Sequence, residues 1–113
     1  MSGESIFLTT YTSSQDDAEI AFGSSFPGKI LPVALEPGKT LIVQKHAFLA
    51  AEDGVNLQAH FRKKLGTGFF GGEGFVLQKL TGNGMAFLEI DGDIIEKTLA
   101  PGETLQVDRK SVV

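Results

Sequence analysis

Two stretches of this chain repeat one another closely enough to dictate its architecture. Residues 30–49, ILPVALEPGKTLIVQKHAFL, and residues 94–113, IIEKTLAPGETLQVDRKSVV, align without gaps at an offset of 64 and share seven of twenty positions. The identities are Ile30/Ile94, Leu35/Leu99, Pro37/Pro101, Gly38/Gly102, Thr40/Thr104, Leu41/Leu105 and Val43/Val107. Chance would supply about one or two. Upstream, GESIFLTTYT (3–12) matches GEGFVLQKLT (72–81) at an offset of 69 through Gly3/Gly72, Glu4/Glu73, Leu8/Leu77 and Thr12/Thr81. Between them the IAF of 20–22 answers the MAF of 85–87. Repetition on this scale marks architectures in which each copy completes its neighbour's core. The expected organisation is one domain over 1–113, with copy one at 3–49, intervening strands at 50–71 and copy two at 72–113. Copy two reads as cut short. It stops at Val112-Val113, where copy one continues through Phe48-Leu49-Ala50-Ala51, so its last strand is expected to be either cut short or completed by another chain.

The repeated positions are strand and turn positions. Residues 55–62, VNLQAHFR, alternate strictly, with Val55, Leu57, Ala59 and Phe61 on one face, the period of a half-buried strand. TLQVD (104–108) alternates likewise, with Leu105 and Val107 inward. FVLQKL (75–80), MAFLEI (85–90) and TLIVQK (40–45) are β-rich runs suited to strands inside a sandwich. Pro37-Gly38 and Pro101-Gly102 fit the centre of a type II turn, where glycine supplies the positive φ. Pro27-Gly28, Asp53-Gly54, Gly82-Asn83-Gly84 and Asp91-Gly92 mark further reversals. About ten or eleven short strands follow, with single helical turns near 14–19 and 47–52, and the fold class is all-β, a sandwich or barrel.

Composition narrows the function classes. A net charge of −4 and a pI near 5.0 speak against DNA, whose binding proteins carry a basic excess. The one dense basic run is Arg62-Lys63-Lys64, a tentative surface-binding patch that reads more simply as a solvated strand end. With no cysteine there are no disulfides, zinc knuckles or thiol catalysis. The N-terminus lacks a signal-peptide pattern and no apolar stretch approaches the ~18 residues of a membrane helix, so a cytoplasmic location is expected.

Several motifs suggest chemistry and fail on context. Gly66-Thr67-Gly68-Phe69-Phe70-Gly71 matches GxGxxG, but a dinucleotide site needs a helix after it and GEGFVLQKL is a strand. Gly38-Lys39-Thr40 resembles the end of a P-loop, yet Val33 stands where its first glycine belongs and a strand follows. The only histidines, His46 and His60, lack the HxH pair of a cupin metal site. There is no GxSxG elbow, and Asp16-Asp17, Glu52-Asp53, Asp91 and Asp93 fall in turn-rich segments, where such residues cap the backbone. Glu4 and Glu73 are presented twice by the repeat, and each reads best as a carboxylate accepting backbone N–H bonds in the bend that opens its copy. No catalytic, cofactor-binding or metal-ligating residue is assigned.

The runs FFGGEGF (69–75), L-x-G-x-G-x-A-F (80–87) and L-x-P-G-E-T-L-x-V-D (99–108), with SFPGKILPVALEPG and LIVQKHAFLAA upstream, resemble the mitochondrial-biogenesis family named for altered inheritance of mitochondria, protein 24. The resemblance implies a fold like tryptophan RNA-binding attenuation protein: β-sandwich repeats of double-stranded β-helix character, often oligomeric. Many such proteins are bacterial and of unknown function, and the fungal namesake is associated with mitochondrial inner-membrane organisation. It carries no catalytic residues over. Family chains are about twice this length, and this one reads VDRKSVV where they read V-D-x-G-x-L-V, so a fragment or a short member is expected. The combined expectation is a non-enzymatic, self-associating scaffold or interaction protein, a homo-oligomer through strand edges. A ligand- or RNA-binding module through Arg62, Lys63 and Lys64 is the second reading, and a degenerate cupin-like enzyme the third.

Overall fold

The computed structural model describes residues 8–25, 27–63 and 75–107, with the backbone course alone at 61–63 and 75. Six strands follow in order: β1 (Lys29–Leu35), β2 (Leu41–Gln44), β3 (Phe48–Ala51), β4 (Val55–Lys63), β5 (Phe75–Gly82) and β6 (Gly84–Ile90). A single 3₁₀ turn, Lys45–Ala47, separates β2 from β3. The strands form two antiparallel three-stranded sheets, β1-β6-β3 and β2-β5-β4. The fold is all-β.

The sheets share one core. Side chains alternate across a strand, and β6 shows this over its whole length, with Ala86, Leu88 and Ile90 buried and their neighbours half-buried. Register carries the pattern sideways, setting Leu31 opposite Leu88 and Val33 opposite Ala86. In the second sheet Leu80 lies opposite both Leu41 and Leu57. Leu35, Val43, Ala47, Leu80, Ala86, Leu88 and Ile90 make a single buried cluster. Each fully buried Leu or Val in it contributes about 1.5–3 kcal/mol.

Turn chemistry moves the chain between the sheets. β1 lies in one sheet and β2 in the other, with the Pro37-Gly38 turn between them. That turn closes with Lys39 N–H donating to Glu36 O at 2.9 Å, and Gly38 takes φ +89°. β5 crosses to β6 through Gly82 and Gly84, at φ +119° and +149°. There the β3–β4 turn packs against the crossing. Asn83 N–H donates to Gly54 O at 3.0 Å, and Met85 N–H donates to Glu52 Oε1 at 2.7 Å. A Cβ on Gly54 would run into the Asn83 carbonyl, and one on Gly82 into the Gly54 carbonyl. The Asp-Gly and Gly-Asn-Gly signals thus belong to one close backbone approach.

The repeat is built into the pairing. β5 and β6 come from copy two and are the central strands. Each is flanked by a strand of copy one, β2 and β1 respectively. On the other side lie β4 and β3, which span the end of copy one and the intervening segment. Among the described residues, strands of the trailing half of copy one pair with strands of the leading half of copy two.

Three expectations are corrected. Six described strands replace the ten or eleven. Residues 104–107 are not a strand, and Leu105 and Val107 are exposed, at 51% and 55%, because among the described residues no strand lies beside them. The helical turn expected near 47–52 ends at Ala47, and Phe48–Ala51 instead pairs with β6. The alternation expected over 55–62 holds through His60, with Val55, Leu57 and Ala59 half-buried and Asn56, Gln58 and His60 exposed, and a β-bulge lies between Ala59 and Phe61.

Candidate functional site

The chemistry-bearing residues are dispersed. His46 is exposed on the 3₁₀ turn and His60 is exposed at the bulge of β4. Among the described residues no group of three or more His, Cys, Asp or Glu is gathered to hold a metal ion. Gly38-Lys39-Thr40 sits in a turn that leads into β2, so no helix N-terminus faces it. Arg62 and Lys63 form the end of β4. Lys64, Glu4, Glu73 and the glycine run 66–71 lie outside the described residues.

Asp93 accepts from Lys29 Nζ at 3.1 Å, and three other described carboxylates serve the backbone. Glu52 accepts from Met85 N–H, as above, and Glu89 accepts from Ser25 N–H at 3.3 Å and from the Ser24 and Ser25 hydroxyls at 3.1 Å each. Glu103 accepts from Ala100 N–H at 3.0 Å and pairs with Lys97 at 3.0 Å. The Ala100 amide, and after it Lys97, hold the Glu103 carboxyl below its ordinary value of 4.5. Sequence reasoning placed Glu52 in a turn, and did not single out Glu89 or Glu103. The signal for Glu103 is its place in the repeat, where copy one has Lys39.

The feature that stands out is apolar and lies outside the sheets. Residues 8–25 and 91–107 contain no strand, yet they expose Leu8, Tyr11, Ile20, Phe22, Ile94, Ile95, Leu99, Leu105 and Val107. The second arm is ordered by the same turn as its counterpart. Glu103 N–H donates to Ala100 O at 2.9 Å and Gly102 has φ +84°, against 2.9 Å and +89° at Lys39 and Gly38. Both Pro-Gly sequences therefore give the type II turn expected of them. What differs is what surrounds the flanking residues. Leu35 is 2% exposed and its equivalent Leu99 49%; Val43 is 0% and Val107 55%. In the leading half, Leu80 is 0% exposed and its equivalent Tyr11 69%.

Isolated exposed hydrophobics are ordinary, whereas contiguous ones mark interaction surfaces. Here three of the exposed residues, Leu99, Val107 and Tyr11, are equivalents of buried core positions. Among the described residues no helix is long and apolar enough to cross a membrane. A search of curated proteins gives no match. The family described as Mitochondrial biogenesis AIM24 matches residues 1–113, the whole of the given sequence, and the chain belongs to that family.

Proposed function

We infer that this protein is a non-catalytic scaffold that acts by associating with itself. The observation that carries this reading is the pair of arms, where Leu99, Val107 and Tyr11, the repeat equivalents of buried Leu35, Val43 and Leu80, stand 49–69% exposed. Unpaired strand-capable backbone beside apolar side chains drives edge-to-edge association. The scatter of the histidines supports the non-catalytic part, as does the use of Glu52, Glu89 and Glu103 to bind backbone and hydroxyl donors. Static light scattering of residues 1–113 at low micromolar concentration tests the reading. A mass above that of one chain is expected, and a clean monomer overturns it.

A further inference from the structure

We propose that the association is a strand exchange in which residues 94–107 of one chain pair with residues 8–22 of a second copy, reproducing between chains the pairing that joins the two repeats within one. The proposal rests on the self-association reading and names the surfaces that meet.

The register within the chain supplies the register between chains. In the first sheet Pro32, Val33 and Ala34 of β1 lie opposite Phe87, Ala86 and Met85 of β6. By the repeat offsets, β1 corresponds to residues 94–99, and Met85-Ala86-Phe87 to Ile20-Ala21-Phe22. The same pairing therefore sets Glu96 opposite Phe22, Lys97 opposite Ala21 and Thr98 opposite Ile20. In the second sheet Leu41, Ile42 and Val43 lie opposite Leu80, Lys79 and Gln78. The equivalents set Leu105 opposite Tyr11, Gln106 opposite Thr10 and Val107 opposite Thr9.

Four members of the observed core, Leu35, Val43, Leu80 and Ala86, have Leu99, Val107, Tyr11 and Ala21 as their equivalents. All four equivalents are exposed, two on each arm. The arms are complementary halves of a second core that neither forms alone. Pre-formation of the Pro101-Gly102 turn removes part of the ordering cost of docking. The link between the leading-half strands is longer, residues 13–19 in place of Gly82–Gly84. It carries its own turn, in which Gln15 N–H donates to Ser13 Oγ at 3.0 Å. The match ends at Phe22, because Gly23 and Ser24 stand where β6 has Leu88 and Glu89. The exchanged sheet is accordingly shorter than the one formed by β1 and β6. Tail-on-head contacts of this kind close into rings or run on as filaments.

The chain has no cysteine, so the register can be read by single-cysteine crosslinking. Residues directly opposite in an antiparallel ladder have Cα atoms about 4.5–5.5 Å apart, within disulfide reach. A chain carrying Gln106→Cys is mixed with a mass-tagged chain carrying Thr10→Cys, and a chain carrying Thr98→Cys with one carrying Ile20→Cys. Mild oxidation should give mixed disulfides in both pairs. It should give none for Gln106→Cys with Ile20→Cys, which belong to different sheets. Leu99→Asp in the otherwise natural chain should weaken association by about 10- to 100-fold, the loss of one buried Leu anchor, while leaving the β1–β6 sandwich folded by circular dichroism. An assembly that forms without either mixed disulfide, or one indifferent to Leu99→Asp, overturns the exchange and leaves self-association standing. A monomer by light scattering overturns both.

Discussion

The same substitution made at two equivalent positions should have unequal cost, and the inequality should depend on concentration. Leu35 is 2% exposed at the end of β1, inside the shared core, while Leu99 occupies the same place in copy two at 49%. Truncating a buried Leu to Ala loses its transfer free energy and leaves a cavity, about 2–5 kcal/mol. For a domain of this size that lowers the melting temperature by about 8–20 °C. At Leu99 roughly half of the transfer term is realised and water fills the space left behind. The loss there is about 1 kcal/mol or less, a shift of about 4 °C or less. Differential scanning calorimetry on both variants and the natural chain, run across a wide range of protein concentration, separates the two. Leu35→Ala should cost the same at every concentration. Leu99→Ala should be mild when dilute and approach Leu35→Ala when concentrated, since association buries Leu99 and linkage makes the melting temperature concentration-dependent. Equal large shifts in dilute solution would mean that Leu99 is already part of a core, and the inequivalence of the two copies would be refuted.

Two further outcomes follow from polar groups. Gln78 is 8% exposed in the middle of β5, and its buried Oε1 has no hydrogen-bond partner among the described residues; an orphaned acceptor costs about 1–3 kcal/mol, so Gln78→Leu should raise the melting temperature, and a fall would show that the amide is satisfied in solution. The Glu103 carboxyl is held below 4.5 by the Ala100 amide and Lys97, so its support of the Pro101-Gly102 turn is complete above that pH and is lost as pH falls through the lowered folded value. The Ala100 amide resonance should titrate with a midpoint below 4.5 and should stop titrating in Glu103→Gln; a midpoint above 4.5 would refute the hydrogen bond.

How far the sequence could be read depended on whether a feature is local. The Pro-Gly turns are local, because Pro sets φ at one position and Gly allows the positive φ at the next, and both formed as read. The β5 and β6 runs were legible from alternation and β-branched or aromatic content. The bulge beside His60 was not, since a bulge answers to the neighbouring strand's register rather than to its own residues. Phe48–Ala51 looked helical because Ala and Leu favour helix, and pairing with β6 overrode that preference. The buried Gln78 was likewise invisible. Its polarity suggests an outward position, and only its place opposite Val43 and Ala59 puts it inside. Dispersal of the histidines and acidic residues could be anticipated from spacing; the roles of Glu89 and Glu103 depended on partners that spacing does not specify.

The strongest error, the strand expected at 104–108, carries the most information. Alternation in TLQVD is as regular as in β2, and the turn before it has the same geometry as the turn before β2. Local preference is therefore equal in the two copies, and the difference in outcome must lie in the partner. β2 has β5 beside it; residues 104–107 have no strand beside them among the described residues. Because each sheet joins the trailing half of one copy to the leading half of the next, two copies wired this way make one complete junction. Among the described residues, 8–25 and 91–107 belong to no such junction. A strand needs a neighbour to satisfy its backbone, and equal local preference without one leaves residues 104–107 out of a sheet. In the exchange proposed above, the residues buried would be Leu99, Val107 and Tyr11, the equivalents of Leu35, Val43 and Leu80.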